Sequence, residues 1–282
     1  MVANQTRSAV ITGAGSGLGR ELALLLAADG WRVLVTDCNR AEAKKTLQLI
    51  EEAGGSGEAY RLNVNDASEV EAVADLYFEK WGRVDLLVNN AGVAVAGFVG
   101  DIALKDWNWI YGPNMRGTVH GCHSFIPRMK AQGGGHILNI ASAAGFASLP
   151  EMAPYNLTKA AVISLSETLY AELAPDNIGI TVACPNFFNT NLLQTMRYTE
   201  QFQYEFARTA FTNSRMSGSD VAGVILKAVR RGKLYCLPMF SGRILWLLKR
   251  LSPQLYFRVM ARLCRKGKAR PLIMNLARRG LA

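Results

Sequence analysis

Short hydrophobic runs alternate with longer amphipathic stretches along most of the chain. The runs SAVIT at 8–12 and RVLVT at 32–36 are rich in β-branched residues, which is typical of strands. The stretches LGRELALLLAADG and RAEAKKTLQLIEEA place apolar residues three and four positions apart, which is typical of helices. Further strands are predicted in EAYRLNV, VDLLVNN, HILNIAS and IGITVAC, and further helices in ASEVEAVADLYFEKW and over residues 103–131 and 153–174.

This alternation predicts the fold class. Strand, helix and strand in succession imply parallel strands joined by right-handed crossovers. The apolar runs are continuous, as in strands that are covered on both faces. We therefore predict an α/β fold, a doubly wound parallel sheet forming one domain over residues 1–238, with a basic helical C-terminal extension over residues 239–282.

The positive charge of the chain is concentrated near its C-terminus. The 282 residues, half of them hydrophobic, carry a net charge of +10. Residues 1–220 hold 17 Lys and Arg against 22 Asp and Glu, whereas residues 221–282 hold 15 Lys and Arg and no acid. Such a segment indicates an anionic partner.

Cysteine usage and hydropathy bear on the compartment. The five cysteines are scattered and show no metal-ligand spacing, so we expect reduced thiols and no metal site in a cytoplasmic protein. The first strand-like run begins at residue 8, which argues against a signal peptide. No uncharged apolar run approaches the roughly 20 residues that a membrane span needs.

The glycine-rich sequence TGAGSGLG at 12–19 lies between the first strand and the first helix. Gly13, Gly17 and Gly19 are spaced G-x-x-x-G-x-G. Glycine lets the backbone turn sharply and approach a ligand, and the N-terminus of a helix favours a pyrophosphate. A plain strand-to-helix turn is the alternative, but the setting favours nucleotide binding.

Asp37 follows the second strand, in VTDCNR. A carboxylate there can accept hydrogen bonds from an adenosine ribose and would repel a 2′-phosphate, which favours NAD over NADP. Arg40 is close enough to leave NADP possible, although a solvated residue at a helix start is its simpler interpretation.

The sequence YNLTK places Tyr155 and Lys159 four residues apart in a predicted helix, so they share one face. A phenol has an unperturbed pKa near 10, and a nearby ammonium is expected to lower the pKa of Tyr155. Tyr155 could then exchange a proton with an alcohol or a carbonyl. Alone, such a pair also occurs by chance on helix surfaces.

Together with TGAGSGLG, NNAG at 89–92, NIASAAG at 139–145 and Tyr155 thirteen residues after Ser142, the chain resembles the short-chain dehydrogenase/reductase family over about residues 7–235. The resemblance implies a Rossmann-type sheet and NAD(P)-dependent interconversion of an alcohol and a carbonyl. It also implies a homodimer or homotetramer.

The resemblance further implies the roles of individual residues. Tyr155 is the general acid and base, Lys159 lowers its pKa and binds the nicotinamide ribose, and Ser142 polarises the substrate oxygen. Asn114 would hold a proton-relay water where Pro113 kinks its helix. The implied cofactor-binding set is Gly13, Ser16, Gly17, Leu18, Gly19, Asp37, Asn63, Val64, Asn90, Ala91, Gly92, Tyr155, Lys159, Pro185 and Thr190.

Two positions depart from the family pattern. Asn186 replaces the glycine of a usual Pro-Gly pair, and asparagine tolerates positive φ well enough for the turn to survive. Asn63 stands where an Asp commonly meets the adenine, and its amide oxygen can still accept.

The family's substrate lid corresponds to the segment around residues 187–211. Its large side chains suggest a lipophilic substrate such as a steroid, a retinoid or a long-chain alcohol, although each could instead pack on the protein. They are Phe187, Phe188, Met196, Tyr198, Phe202, Tyr204, Phe206 and Phe211. Two alternatives remain, a 3-ketoacyl-thioester reductase and a non-enzymatic nucleotide-sensing or membrane scaffold protein.

Residues 243–270 contain two predicted amphipathic helices that Pro253 divides. Arg258, Arg262, Arg265 and Lys266 form a narrow basic stripe beside a wide apolar face. This pattern suits a peripheral helix on an anionic membrane, and it equally suits packing on the lid or on another subunit. No nucleic acid is expected as a partner.

Overall fold

A seven-stranded parallel sheet forms the centre of the computed structural model, which describes residues 6–282. The strand order is β3-β2-β1-β4-β6-β7-β9. The strands are β1 (Ser8–Thr12), β2 (Arg32–Asp37), β3 (Ser56–Arg61), β4 (Leu86–Asn89), β6 (Gly135–Ile140), β7 (Ile178–Ala183) and β9 (Tyr235–Cys236). Two short strands, β5 (Val95–Ala96) and β8 (Arg197–Tyr198), form a separate parallel pair. The predicted doubly wound α/β fold is confirmed.

Helices cover both faces of the sheet. The main ones are α1 (Gly17–Ala28), α2 (Arg40–Glu52), α3 (Ala67–Trp81), α4 (Leu104–Tyr111), α5 (Gly117–Ala131), α6 (Ala144–Ala147), α7 (Ala153–Glu172), α8 (Leu192–Thr195), α9 (Gln201–Thr212) and α10 (Gly218–Arg230). One hydrophobic cluster joins α1, α2 and α10 to the sheet, and a second joins α3, α5 and α7 to its other face. The inner strands are therefore buried on both faces, whereas β3, at the edge, is partly exposed.

The strand order reverses between β1 and β4, which are neighbours in register at Val10 and Leu87. In open α/β sheets, ligands bind at such a switch point, beyond the carboxyl ends of the strands. The glycine-rich loop follows β1, and the sequence NNAG spans the end of β4. The topology thus brings the two sequence motifs together at one edge of the sheet.

The predicted helix over residues 103–131 is interrupted. Residues Gly112–Arg116 form a π-helical turn between α4 and α5, in which the Gly117 N–H donates to the Gly112 carbonyl five residues earlier. Pro113 lacks an N–H, so the regular hydrogen-bond pattern fails there and one residue is inserted into the turn. The predicted kink is therefore a π-turn, and Asn114 lies inside it.

The C-terminal extension contains three helices, not the two that were predicted. They are α11 (Phe240–Leu251), α12 (Pro253–Arg265) and α13 (Ala269–Arg278). Pro253 begins α12, where a missing N–H costs nothing, and Gly267 lies just beyond its end with a φ of 64°. Within residues 6–282, no helix has both the length and the apolar character needed to cross a membrane.

Candidate active site

The glycine-rich loop is shaped by close contacts that exclude side chains. Gly13 has a φ of 62°, and a Cβ there would lie 2.8 Å from the Ala91 Cα. A Cβ on Gly19 would lie 2.4 Å from the Gly13 carbonyl oxygen. Ser16 precedes α1 and makes no side-chain cap, and Leu18 anchors the helix in the core. The free N–H groups at the start of α1 fit a pyrophosphate.

Asp37 ends β2 and is tied directly to this loop. One carboxylate oxygen accepts the Gly15 N–H at 3.0 Å, and the other accepts the Asn39 N–H at 2.9 Å. A carboxylate offers about four acceptor positions, so capacity remains for the two hydroxyls of a ribose. Asp37 therefore lies beside the glycine-rich loop, and its contact with a ribose stays a prediction.

The predicted adenine-side residues are only partly available. The Asn63 amide oxygen accepts the Asn65 N–H at 3.2 Å, which leaves it one further acceptor position. The Val64 carbonyl accepts from the His120 ring at 2.9 Å, and the Val64 side chain is buried. Contact of Asn63 with an adenine stays a prediction.

Asn90 joins the ends of β1 and β4. Its amide donates to the Thr12 and Gly13 carbonyls at 2.9 and 3.0 Å, and the Thr12 hydroxyl accepts the N–H groups of Asn90 and Ala91. A Cβ on Gly92 would lie 3.2 Å from the Asn114 amide oxygen. These contacts keep the floor of the site narrow and polar.

Asn114 is almost fully buried, and both polar atoms of its side chain are hydrogen-bonded within the protein. The amide oxygen accepts the Val93 N–H at 2.7 Å, and the amide nitrogen donates to the Val93 carbonyl at 3.0 Å and to the Thr158 hydroxyl at 3.2 Å. The side chain therefore locks the π-turn to the loop after β4. Because both amide hydrogens are used, a relay water would bind the remaining acceptor position of the amide oxygen or a main-chain carbonyl of this turn.

Ser142, Tyr155 and Lys159 meet at the carboxyl end of β6. The Ser142 hydroxyl donates to the Pro185 carbonyl at 3.3 Å. Lys159 is buried and donates to the Ile140 carbonyl at 2.8 Å, which leaves two of its three donors for a ligand. The Lys159 ammonium lies 5.8 Å from the centre of the Tyr155 ring.

Burial is the main cause of the shifted pKa values of Tyr155 and Lys159. It raises the pKa of Tyr155 to about 12, against a smaller lowering by the Ser142 hydroxyl, and it lowers the pKa of Lys159 to about 8. The net pKa of Tyr155 is raised in this structure, and a lowering of it by Lys159 stays a prediction. Desolvation disfavours the charged form of each group and is the largest cause of both shifts.

The loop after β7 links the site to the C-terminal extension. The Pro185 carbonyl accepts from both the Ser142 hydroxyl and the Ala143 N–H. Among residues 6–282, positive φ at non-glycine positions occurs at Ser148, Glu151 and Asn177. Asn186 does not have it, so its tolerance of positive φ does not explain the substitution.

Asn186 has a different structural role. Its amide donates to the Ser241 hydroxyl at 2.9 Å, and a Cβ on Gly242 would lie 2.8 Å from its amide oxygen. It therefore holds the start of α11 against the site. Thr190, further along the loop, packs against Gly17, with its Cβ 3.6 Å from a Cβ built there.

Sequence reasoning missed Glu151, which lies between Ser142 and Tyr155. Its carboxylate accepts two hydrogen bonds from the Arg270 guanidinium, both at 2.8 Å, and a third from the Gln203 amide at 3.0 Å. Arg270 also pairs with Glu200, just before α9, at 2.7 Å. Through Glu151 and Glu200, Arg270 connects the extension to the loop between Ser142 and Tyr155 and to the lid.

Most of the aromatic lid residues do not line an open pocket. Phe187, Phe202 and Phe206 pack around Ala277 of α13, and Phe187 also contacts the Phe211 ring edge-on. Phe188 belongs to the main core. Tyr198 and Tyr204 pack against each other at an angle of 33°, with ring centroids 5.3 Å apart. The predicted aromatic lining is therefore largely a lid–extension core.

Comparisons with known proteins agree with this geometry. The short chain dehydrogenase family model matches residues 7–201. The chain is 36% identical over 232 residues to a probable oxidoreductase EphD from Mycobacterium tuberculosis (strain ATCC 25618 / H37Rv), a match that covers 79% of this chain and 39% of that protein. It is 31% identical over 187 residues to a 3-oxoacyl-[acyl-carrier-protein] reductase FabG of Thermotoga maritima, covering 66% of this chain and 76% of the relative.

Solved structures show the same relationship. A short chain dehydrogenase/reductase from Burkholderia phymatum in complex with NAD superposes with a TM-score of 0.85 at 32% identity, over 90% of this chain and 96% of the other. The chain spans well under half the length of EphD. The family match and the assembled motifs establish that the chain is an oxidoreductase of the short-chain dehydrogenase/reductase family.

Proposed function

We propose that the protein interconverts an alcohol and a ketone or aldehyde by hydride transfer with NAD, on a lipophilic substrate. The observation that carries this proposal is the meeting of Ser142, Tyr155 and Lys159, with the Lys159 ammonium next to Gly92 of NNAG. Asp37 supports NAD over NADP, because a 2′-phosphate would meet its carboxylate.

The side chains divide the work of proton transfer and binding. Tyr155 accepts the alcohol proton in oxidation and returns it to the carbonyl oxygen in reduction. Ser142 turns its hydroxyl from the Pro185 carbonyl to the same oxygen, and the new hydrogen bond stabilises the charge that develops there. Lys159 binds the ribose hydroxyls with its two free donors. A nicotinamide cofactor held beside Lys159 would supply or accept the hydride.

A lipophilic substrate is supported by the surroundings of Tyr155. Its ring packs beside a buried cluster of Val95, Ile102 and Ile110, with Trp107, Trp109 and Tyr111 at the margin of that cluster. Apolar walls with a few placed polar groups suit a hydrophobic molecule that carries one reacting oxygen.

The second candidate is a 3-ketoacyl-thioester reductase. It is supported by similarity to FabG and by the basic extension, which could meet the phosphates of a carrier or of coenzyme A. Asp37 argues against it where such reductases take NADPH. A non-enzymatic nucleotide-binding scaffold is disfavoured because all four catalytic positions are present.

One assay separates these functions. The absorbance of NADH and NADPH is followed with ketones of rising chain length and with a 3-ketoacyl thioester, and the reverse reaction with the matching alcohols. We expect NADH turnover that increases with chain length. NADPH turnover confined to the thioester would favour the second candidate. Tight NADH binding without any turnover would favour the scaffold.

A further inference from the structure

Exposed apolar side chains are concentrated in the C-terminal extension. Among residues 6–282, ten of the twenty exposed large hydrophobic side chains lie in the 43 residues from Phe240 onwards. Five of the ten lie on α11, namely Phe240, Ile244, Leu247, Leu248 and Leu251, and are 42 to 74% exposed. At about 100° per residue they fall within an arc of roughly 100°, so they form one apolar stripe.

The opposite face of α11 is the one that packs on the protein. Gly242 is buried against Asn186, the Trp246 ring lies 6.0 Å from the Tyr235 ring, and Lys249 donates to the Phe146 carbonyl at 2.6 Å. The apolar stripe of α11 therefore points away from the body of the protein.

The next helix, α12, presents cations on its outer face. Arg258, Arg262, Arg265 and Lys266 line one shallow hollow with Ala261, and the exposed Leu255 and Val259 lie beside it. The inner face holds Tyr256, whose hydroxyl donates to the Ala147 carbonyl at 3.0 Å.

These cations have no acidic partners of their own. Of the eleven Lys and Arg residues in the extension, Arg270 alone has a carboxylate within 4.0 Å among the described residues. No Asp or Glu occurs after Asp220. A surface with unpaired cations beside exposed apolar side chains is complementary to a partner that has both negative charges and an apolar region.

We propose that α11 and α12 dock the protein on the surface of an anionic phospholipid bilayer. The apolar stripe of α11 enters the boundary between headgroups and acyl chains, and the cations of α12 bind the lipid phosphates. The helices lie in the interface and do not cross it, in keeping with their length and charge.

A second copy of this chain fits the same surface less well. A two-fold contact would bring the cations of both α12 helices into one interface, and neither extension contains an acid to pair with them. An anionic bilayer satisfies both the charge and the apolar stripe at once. The proposal does not depend on the substrate, because docking is measured without turnover.

Vesicle flotation of the full chain tests the proposal. We expect flotation with phosphatidylcholine vesicles containing about 30% phosphatidylglycerol, little with phosphatidylcholine alone, and release at high salt. The triple variant Arg258→Gln, Arg262→Gln, Arg265→Gln should lower the partition coefficient roughly 100-fold, since each cation contributes about a factor of five. The double variant Leu247→Ser, Leu251→Ser should lower it at least about tenfold.

Matched controls remove the same groups elsewhere. Leu49→Ser with Leu76→Ser replaces two exposed leucines on α2 and α3, and Lys44→Gln, Lys105→Gln, Arg116→Gln removes three exposed cations. Both should float like the wild type. Circular dichroism confirms that each variant is folded.

Three results would overturn the proposal. They are failure of the wild-type chain to float with anionic vesicles, equal loss in the control variants, and a fall in molar mass of the Leu247→Ser, Leu251→Ser variant in light scattering without vesicles. The last result would identify a second copy of the chain as the occupant of this surface.

Discussion

The catalytic edge of the sheet and the C-terminal extension differ in which side chains they bury and which they expose. At the catalytic edge, polar side chains are buried and bonded: Asn114 to Val93, and Lys159 to the Ile140 carbonyl. In the extension, apolar side chains such as Leu251 are exposed and most cations lack an acidic partner. The polar side chains of the first region are bonded within the protein. The outer face of the second region exposes apolar side chains and cations that have no acidic partner among the described residues.

The inner face of the extension is bonded to the catalytic edge. Lys249 and Tyr256 bond to the carbonyls of Phe146 and Ala147, just after Ser142, and Arg270 bonds to Glu151, just before Tyr155. The extension therefore braces the loop that carries two catalytic residues, while its outer face remains open. The two sides of the extension should respond differently to substitution.

The largest effect is expected at Tyr155. Tyr155→Phe removes the proton donor and acceptor and should lower kcat by about 10³-fold, as the loss of a general acid and base does. NADH affinity, measured by fluorescence, should change less than about threefold, because other groups bind the cofactor. Tyr170→Phe, an exposed tyrosine on the same helix, is the matched control. Retained turnover in the first variant would refute the role of Tyr155.

The pH dependence of turnover sharpens the assignment of the pair. Oxidation needs a Tyr155 phenolate beside a charged Lys159, and their pKa values are about 12 and about 8. The population of that state rises tenfold per pH unit below about pH 8 and is level above it. Reduction needs the phenol with the ammonium, so it should be flat below about pH 8 and decline above.

Steady-state rates at saturating cofactor, in both directions, test this dependence. Lys159→Arg keeps its charge at every accessible pH, so the break near pH 8 should disappear in that variant. A break that persists in Lys159→Arg would assign it to another group.

Local patterns in the sequence were sufficient to predict the catalytic edge. The glycine spacing, Asp37 after β2 and the four-residue step from Tyr155 to Lys159 depend on neighbours in the chain, and the strand–helix alternation brings them to one edge. A break in the helix at Pro113 was predictable from the sequence, but its π-helical form was not.

The contacts of the extension could not be predicted in this way. Glu151 and Arg270 are 119 residues apart, and nothing in the sequence signals the φ of 64° at Glu151 that directs its carboxylate. Asn186 is noticeable only as a departure from a pattern, and its bond to Ser241 depends on where α11 lies. The third helix of the extension was missed because Pro271 and Asn275 weaken its helical signal.

Cofactor choice gives the next effect. Asp37→Asn retains an acceptor for the Gly15 N–H but removes the charge that would repel a 2′-phosphate. The ratio of kcat/KM for NAD over NADP should fall by roughly 10- to 100-fold, the usual range for hydrogen bonds to a charged group. Glu51→Gln, an exposed acid at the far end of α2, is the control. An unchanged ratio would mean that another residue reads the ribose.

On the inner face of the extension, substitution of Arg270 should lower the stability of the protein. Arg270→Met leaves the largely buried Glu151 carboxylate without its cation, which should cost about 1 kcal/mol once the partial exposure of Arg270 is considered. For a chain of this size that corresponds to a fall in Tm of about 2–4 °C, measured by scanning fluorimetry. Arg278→Met, exposed on the same helix, should have no effect.

A double-mutant cycle tests whether the two groups act together. Adding Glu151→Gln to Arg270→Met should cost less than the sum of the single changes, because the uncompensated carboxylate is gone. Additive losses would show that Arg270 contributes through its pair with Glu200 or its contacts with Phe98 and Phe202, and not through Glu151.

The smallest effect is expected on the outer face. Leu251 is 74% exposed, so Leu251→Ser should change the free energy of unfolding by less than about 0.5 kcal/mol and leave turnover of a soluble substrate unchanged. Ala277 is fully buried against Phe206 on the inner face, so Ala277→Leu should cost about 1–3 kcal/mol through overpacking. Urea denaturation of the two variants compares the faces directly. An equal loss in both would mean that Leu251 is buried in solution, and the division of the extension into a bracing inner face and an open outer face would then fail.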